Sequence, residues 1–170
     1  MVTAIAGLET GVTDTRERIN DIGVYPAAHE PECWYYGSYG RGHGPLNITQ
    51  AIEKSCNFFF YEIGNRMGID TLSKYASYFG LGRKTGVELT EASGTVASIS
   101  NREKAGGVWY PGDTIQAAIG QSDHLYTPLQ LCSYVATLAN GGTRYKAHFV
   151  DSIKSADYSE TLYEAKPEVR

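Results

Sequence analysis

Ser55-Cys56-Asn57 sets a hydroxyl and a carboxamide two residues apart, between two stretches of helical periodicity. In a tight interhelical turn both side chains can face one cleft. There a serine can relay a proton, and an asparagine offers a donor and an acceptor to a substrate amide. Ser and Asn are also preferred helix caps, so the triplet by itself leaves a plain capping role open. Cys56 could act as a nucleophile only beside a histidine base, and no histidine is placed for that in the sequence; it reads as a small buried filler.

Lys84-Thr85-Gly86 has the composition of a serine acyl-transfer motif. It follows Gly82-Arg83 directly after a helix stop, however, and reads as a solvated basic turn. Gly112-Asp113-Thr114 and Gly120-Gln121-Ser122 are plain turns, and the aromatic runs Trp34-Tyr35-Tyr36 and Phe58 to Tyr61 read as core. Cys33, Cys56 and Cys132 are too few, and odd in number, for a disulfide framework. No Cys-x-x-Cys occurs, and His29, His43, His124 and His148 form no i,i+4 pair, so neither a metal nor a cofactor is expected.

The elements that must position these residues come from a chain of 170 residues, a length that suits one domain with a sizeable core. At 42% hydrophobic and 20% charged, the composition is globular and excludes wholesale disorder. A net charge of -4 without a Lys/Arg cluster gives no footprint for nucleic acid. No apolar run approaches the ~18 residues of a membrane helix. There is no basic n-region or cleavage site of a signal peptide. The 19 glycines predict a loop-rich, mixed-structure domain.

Residues 1–11 carry the stripe Met1, Ile5 and Leu8, flanked by Val2 and Ala6, and Gly11 stops it: a buried helix that has no cap residue before it. Residues 12–46 read as a long loop with short strands around Arg18–Val24, and Gly37 to Pro45 as pure turn chemistry. Residues 47–80 form a helical block. Asn47 with Gln50 caps the first helix, where Ile48, Ala51, Ile52 and Ser55 share a face; the second runs from Phe58 to Met67; Asp70 caps the third, with Leu72, Tyr75, Ala76 and Phe79 inward. Residues 81–126 read as turns and short extended pieces. Residues 127–141 are a helix with Thr127 as cap and Pro128 at its first position. Leu131, Val135 and Leu138 on one face, and Cys132, Ala136 and Ala139 on the next, predict cover on two sides. Residues 142–170 read as a hairpin and tail.

The run Gly42-His43-Gly44, Leu46, Gln50-Ala51-Ile52 and Ser55 to Tyr61 resembles the transpeptidase domain of class B penicillin-binding proteins. So do Gly112 to Gln121, Thr127 to Leu131 and Ala136 to Gly142, and the opening Met1 to Gly11 resembles the continuation of that family's nucleophile helix. Together these stretches cover essentially the whole chain. The resemblance implies an α+β fold of the penicillin-binding transpeptidase and serine β-lactamase type, here its helical subdomain plus a C-terminal β-hairpin. In that family a Ser-x-x-Lys supplies the acylated serine and its base, a Ser-x-Asn turn supplies a proton relay and a substrate-binding amide, and an edge-strand Lys-Thr-Gly binds the substrate backbone and carboxylate.

Only the second motif maps onto this chain: Ser55 is implied as proton relay and Asn57 as substrate-binding residue. The first is expected just before Met1 and the third beyond Arg170, so the chain is expected to be an internal piece of the domain, inactive alone. Lys84-Thr85-Gly86 then matches a Gly-Leu-Gly-x-x-Thr-Gly turn, as Gly80-Leu81-Gly82, Thr85 and Gly86, and is not carried over as catalytic.

The implied parent cross-links peptidoglycan stem peptides ending in D-Ala-D-Ala through an acyl-serine, is trapped by β-lactams, and lies on the extracytoplasmic face of the bacterial cytoplasmic membrane behind an N-terminal anchor. A β-lactam sensor or serine β-lactamase-like enzyme shares the scaffold, and a non-catalytic interaction domain is the remaining alternative. Exposed sheet edges would favour self-association.

Overall fold

A computed structural model describes residues 1–27 and 29–170; Ala28, within the stretch read as a long loop, lies outside the described residues. The fold is mixed α+β, a helical core with a small β-hairpin. It divides into two compact units, residues 1–75 with 97–124 and residues 76–96 with 125–170.

The first unit is arranged around α4 (Asn57–Met67), which packs on α1 (Val2–Glu9), β1 (Ile19–Asp21), α3 (Ile48–Glu53) and α7 (Pro111–Ala118). Phe59 and Ile63 of α4 are wholly buried, and Phe58 meets Tyr25 edge-on at 5.2 Å. Burying each such side chain contributes about 1.5–3 kcal/mol. Where α4 crosses α7, a Cβ at Gly64 would lie 2.2 Å from the Ala118 Cβ, so glycine is what lets the helices approach this closely. β1 pairs antiparallel with β2 (Gly44–Leu46), Ile19 opposite Leu46 and Asp21 opposite Gly44, which draws both ends of the 12–46 segment onto the core.

α3 carries the expected capping box: the Gln50 N–H donates to Asn47 Oδ1 at 2.9 Å, and the Asn47 N–H donates to Gln50 Oε1 at 3.2 Å. α5 spans Ile69–Tyr78, so Asp70 sits in its first turn and not at its cap, where its charge still favours the helix N-terminus. Of the face expected on α3, Ile48 and Ala51 are buried, while Ile52 and Ser55 are exposed.

Other elements differ from expectation. In α1 the buried residues are Thr3, Ala4, Ala6 and Gly7, whereas Met1 and Leu8 are exposed. The small face turns inward because α1 lies hard against α4: a Cβ at Gly7 would meet Ile63 Cγ2 at 2.9 Å. The Thr3 hydroxyl donates to the Ala118 carbonyl at 2.5 Å. The 12–46 segment contains α2 (Trp34–Tyr39), a helix of 6 residues closed by Gly40 in the left-handed region. The stretch read as turns contains α6 (Ile99–Lys104) and α7. α7 starts with Pro111 and has Asp113 accepting from the Tyr110 N–H at 2.8 Å, the proline-plus-capping-box signature also seen at Thr127.

In the second unit, α8 (Pro128–Ala139) has the expected Thr127 capping box. Its buried residues are Gln130 and Thr137; Leu131 and Val135 are 45% and 59% exposed, so the apolar sides are not covered as the pattern implied. Aromatic and polar contacts both hold α8 in this unit: Tyr134 meets Phe79 edge-on at 5.1 Å. Gln130 Nε2 donates to the carbonyls of Arg83 at 2.7 Å and Ser93 at 2.8 Å, tying the helix start to the 76–96 segment. β3 (Ser152–Lys154) and β4 (Thr161–Glu164) form an antiparallel hairpin with exposed residues on both strands.

Candidate functional site

The turn between α3 and α4 places the Ser-x-Asn triplet. Ser55 is exposed with φ +50°, in the left-handed region that costs a non-glycine residue about 1–2 kcal/mol. Backbone bonds hold it there: the Ser55 N–H donates to the Ile52 carbonyl at 3.1 Å and the Cys56 N–H to the Ala51 carbonyl at 2.9 Å. The cap of α4 is Cys56, whose Sγ accepts from the Phe59 N–H at 3.5 Å. Asn57 is the first residue inside the helix. Neither Ser55 nor Asn57 caps the start of α4; Ser55 is instead the left-handed residue that closes α3, just after its C-cap Lys54.

Cys56 points the other way, into the core. There Asp21 of β1, Cys33 at the start of α2, His43 just before β2 and Cys56 bring their ligand atoms within 4.8 Å of one another. Asp21 Oδ2 accepts from His43 Nδ1 at 2.6 Å, from the His43 backbone N–H at 3.1 Å and from the Cys56 thiol at 3.3 Å, while Oδ1 accepts from the Gly23 N–H at 2.7 Å. Burial works to raise the Asp21 carboxyl, but the hydrogen bonds from His43, Gly23 and Cys56 outweigh it and hold the group below the usual carboxylate value. Cys33 Sγ lies 3.6 Å from His43 Nδ1 and 4.0 Å from Cys56 Sγ. The two thiols titrate apart. A hydrogen bond with Cys56 pulls Cys33 down, and the same contact, with burial, pushes Cys56 up.

Two sulfurs, an imidazole and a carboxylate form a four-ligand donor set suited to zinc. Thiolates bound tetrahedrally at ~2.3 Å lie ~3.8 Å apart, close to the 4.0 Å between Cys33 and Cys56. With four protein ligands, a zinc ion held there would be a structural cross-link and not a catalytic centre. The sequence predicted no metal and did not anticipate this donor set. The ligands come from four separated segments with no local spacing rule, and only the β1–β2 pairing and the α2 turn assemble them. The sequence signals that existed were the small residues around His43 and a cysteine inside the triplet. Cys132 is exposed on α8, outside the cluster.

Lys84-Thr85-Gly86 lies in the second unit, folded around Glu91, whose carboxylate accepts from the Thr85 N–H at 3.1 Å, the Gly86 N–H at 2.9 Å and the Thr85 hydroxyl. Both groups an edge-strand motif would offer to a substrate, the Thr hydroxyl and the backbone N–H groups, are engaged with Glu91.

The penicillin binding protein transpeptidase domain matches residues 1–170. Peptidoglycan D,D-transpeptidase MrdA of Escherichia coli is 39% identical over 88% of this chain and 24% of its own length, and that of Acinetobacter baumannii is 34% identical over 90% of this chain and 23% of its own. The crystal structure of Pseudomonas aeruginosa PBP2 superposes with a TM-score of 0.81 at 31% identity, covering 98% of this chain and 37% of that one. The chain thus spans about a quarter of the length of the curated relatives it matches. The matched stretch includes α1, the Ser-x-Asn turn and α8, and the chain belongs to the transpeptidase domain family of the class B penicillin-binding proteins.

Proposed function

We propose that this chain is part of a peptidoglycan D,D-transpeptidase that joins stem peptides ending in D-Ala-D-Ala through an acyl-serine and is acylated by β-lactams at the outer face of the cytoplasmic membrane. In this reading Ser55 relays a proton between the attacking serine, its lysine base and the leaving amine. Asn57 holds the substrate amide by donor and acceptor together. The observation that supports it most is the turn itself: an exposed serine, Ser55 at φ +50°, holds the position closing α3 that glycine usually takes, while Cys56 caps α4. Strain held in place by surrounding structure is characteristic of sites whose geometry is used.

No serine in these 170 residues is followed by lysine three positions on, so the chain has no Ser-x-x-Lys nucleophile and base. By itself it is inactive in this reading. The test is covalent labelling with a fluorescent penicillin, followed on a denaturing gel. A transpeptidase domain carrying all three motifs is expected to label, and the 170-residue chain not to. In the labelling domain Ser55→Ala and Asn57→Ala should each slow acylation by about 100-fold, while Lys84→Ala leaves it unchanged. Full acylation rates in both Ser55→Ala and Asn57→Ala would refute their roles.

A further inference from the structure

Beside Ser55, a cavity of about 750 Å³ opens among Trp34, Tyr35, Arg41, His43 and Lys54, within the size range of small-ligand sites. Its wall is prebuilt. His43 has its Nδ1 fixed on Asp21, its ring stacked on Tyr35 at 4.2 Å and met edge-on by Trp34 at 5.7 Å, and its side chain is only 4% exposed. Trp34 is itself fixed, donating from Nε1 to the Lys54 carbonyl at 3.1 Å. The second nitrogen of His43, Nε2, is buried and has no hydrogen-bond partner among the described residues.

The lining also carries an unbalanced charge. Arg41 and Lys54 are cationic, Glu53 is the one acid, and neither cation makes an ion pair among the described residues. Two positive charges against one negative suit a single negative charge better than a dianion, and a guanidinium fork matches a carboxylate. The aromatic faces beside them suit the apolar part of a peptide.

We propose that this cavity is a binding subsite for a carboxylate-bearing peptide, with Arg41 and Lys54 holding the carboxylate and the Trp34 and Tyr35 rings meeting the apolar part of the ligand. Taking that peptide to be the stem peptide, with the carboxylate on a side chain, rests on the acyl-transfer reading above. The subsite would then fix the peptide next to Ser55, on a wall whose rigidity lowers the ordering cost of binding.

The test is equilibrium binding to the 170-residue chain, which needs no acylation. The probes are acetyl-Glu-D-Ala-D-Ala amide and its Gln counterpart, followed by NMR at the Trp34 indole N–H and assigned with Trp109→Phe. The Glu peptide is expected to shift that signal saturably and to bind about fivefold more tightly than the Gln peptide. Arg41→Gln and Lys54→Gln should each weaken it about two- to fivefold, and Lys104→Gln should not. Equal binding of both peptides, no shift at Trp34, unchanged binding in both Arg41→Gln and Lys54→Gln, or inorganic phosphate reproducing the shift would each overturn the subsite. None of these outcomes bears on penicillin labelling, which tests the acyl-transfer reading separately.

Discussion

The thiol of Cys56, the residue between Ser55 and Asn57, donates to the Asp21 carboxylate at 3.3 Å, 35 residues away in sequence. One residue thus caps α4, anchors the turn on which the candidate catalytic pair sits, and joins a four-ligand cluster. The geometry of the Ser-x-Asn turn therefore depends on the 12–46 segment as well as on its own two helices.

Zinc added to the purified chain is expected to bind at about one ion per chain, by elemental analysis. Because a preformed four-ligand site binds only the folded chain, chelation should lower Tm by about 10 °C or more. Cys33→Ser and Cys56→Ser should each abolish stoichiometric binding. A metal-free chain whose Tm ignores both zinc and chelator would leave the cluster as a plain hydrogen-bond network.

Gly64→Ala should destabilise, although alanine is the better helix former by about 1 kcal/mol. The new methyl would sit 2.2 Å from the Ala118 Cβ, and α4 and α7 must separate to admit it. Overpacking of this kind costs about 1–3 kcal/mol, so the net loss in chemical denaturation should be up to about 2 kcal/mol. A more stable variant would show that the crossing is looser than described.

Ser55→Gly should stabilise the chain by about 1 kcal/mol, because glycine adopts φ +50° without the side-chain penalty. In a transpeptidase domain carrying all three motifs the same change should slow acylation, through loss of the hydroxyl. Stability and acylation measured on one variant therefore move in opposite directions if Ser55 is retained for chemistry.

Acid should weaken the tie between the 12–46 segment and α4. Arg66 bonds Glu17 and Glu62, each at 2.6 Å, and the hydrogen bond from Arg66 holds the Glu17 carboxyl below its usual value. A depressed folded-state pKa means stability that is present above the unfolded value, ~4.3, and is lost as pH falls through the folded one. Both partners are partly solvated, so the contribution is below about 1 kcal/mol. Arg66→Met should remove that part of the acid-limb slope in Tm against pH, and an unchanged slope would assign it elsewhere.

Local patterning made some of this legible. Asn47 with Gln50 and Thr127-Pro128 with Gln130 announce the starts of α3 and α8, because a cap is a contact between residues three apart. The aromatic density of Phe58 to Met67 announces α4 as a buried helix. The same cap grammar was present at Pro111 and Asp113, where the surrounding glycines masked it. The inward face of α1 was not legible. Apolarity pointed to Met1, Ile5 and Leu8, but helix–helix distance selected the smallest residues, and that distance is a property of the pair.

The sequence by itself determined the family, through ordered runs around Ser55, Gly112 and Thr127, and so the pairing of Ser55 with Asn57. Only the tertiary structure decided that Cys56, and neither of its neighbours, caps α4, and that Asp21, Cys33, His43 and Cys56 meet. Caps and helical stripes are written at fixed short spacing, because a helix repeats every 3.6 residues. A cluster drawn from β1, α2, the approach to β2 and α4 has no spacing of its own, and exists only where strand pairing and core packing bring four distant segments to one point.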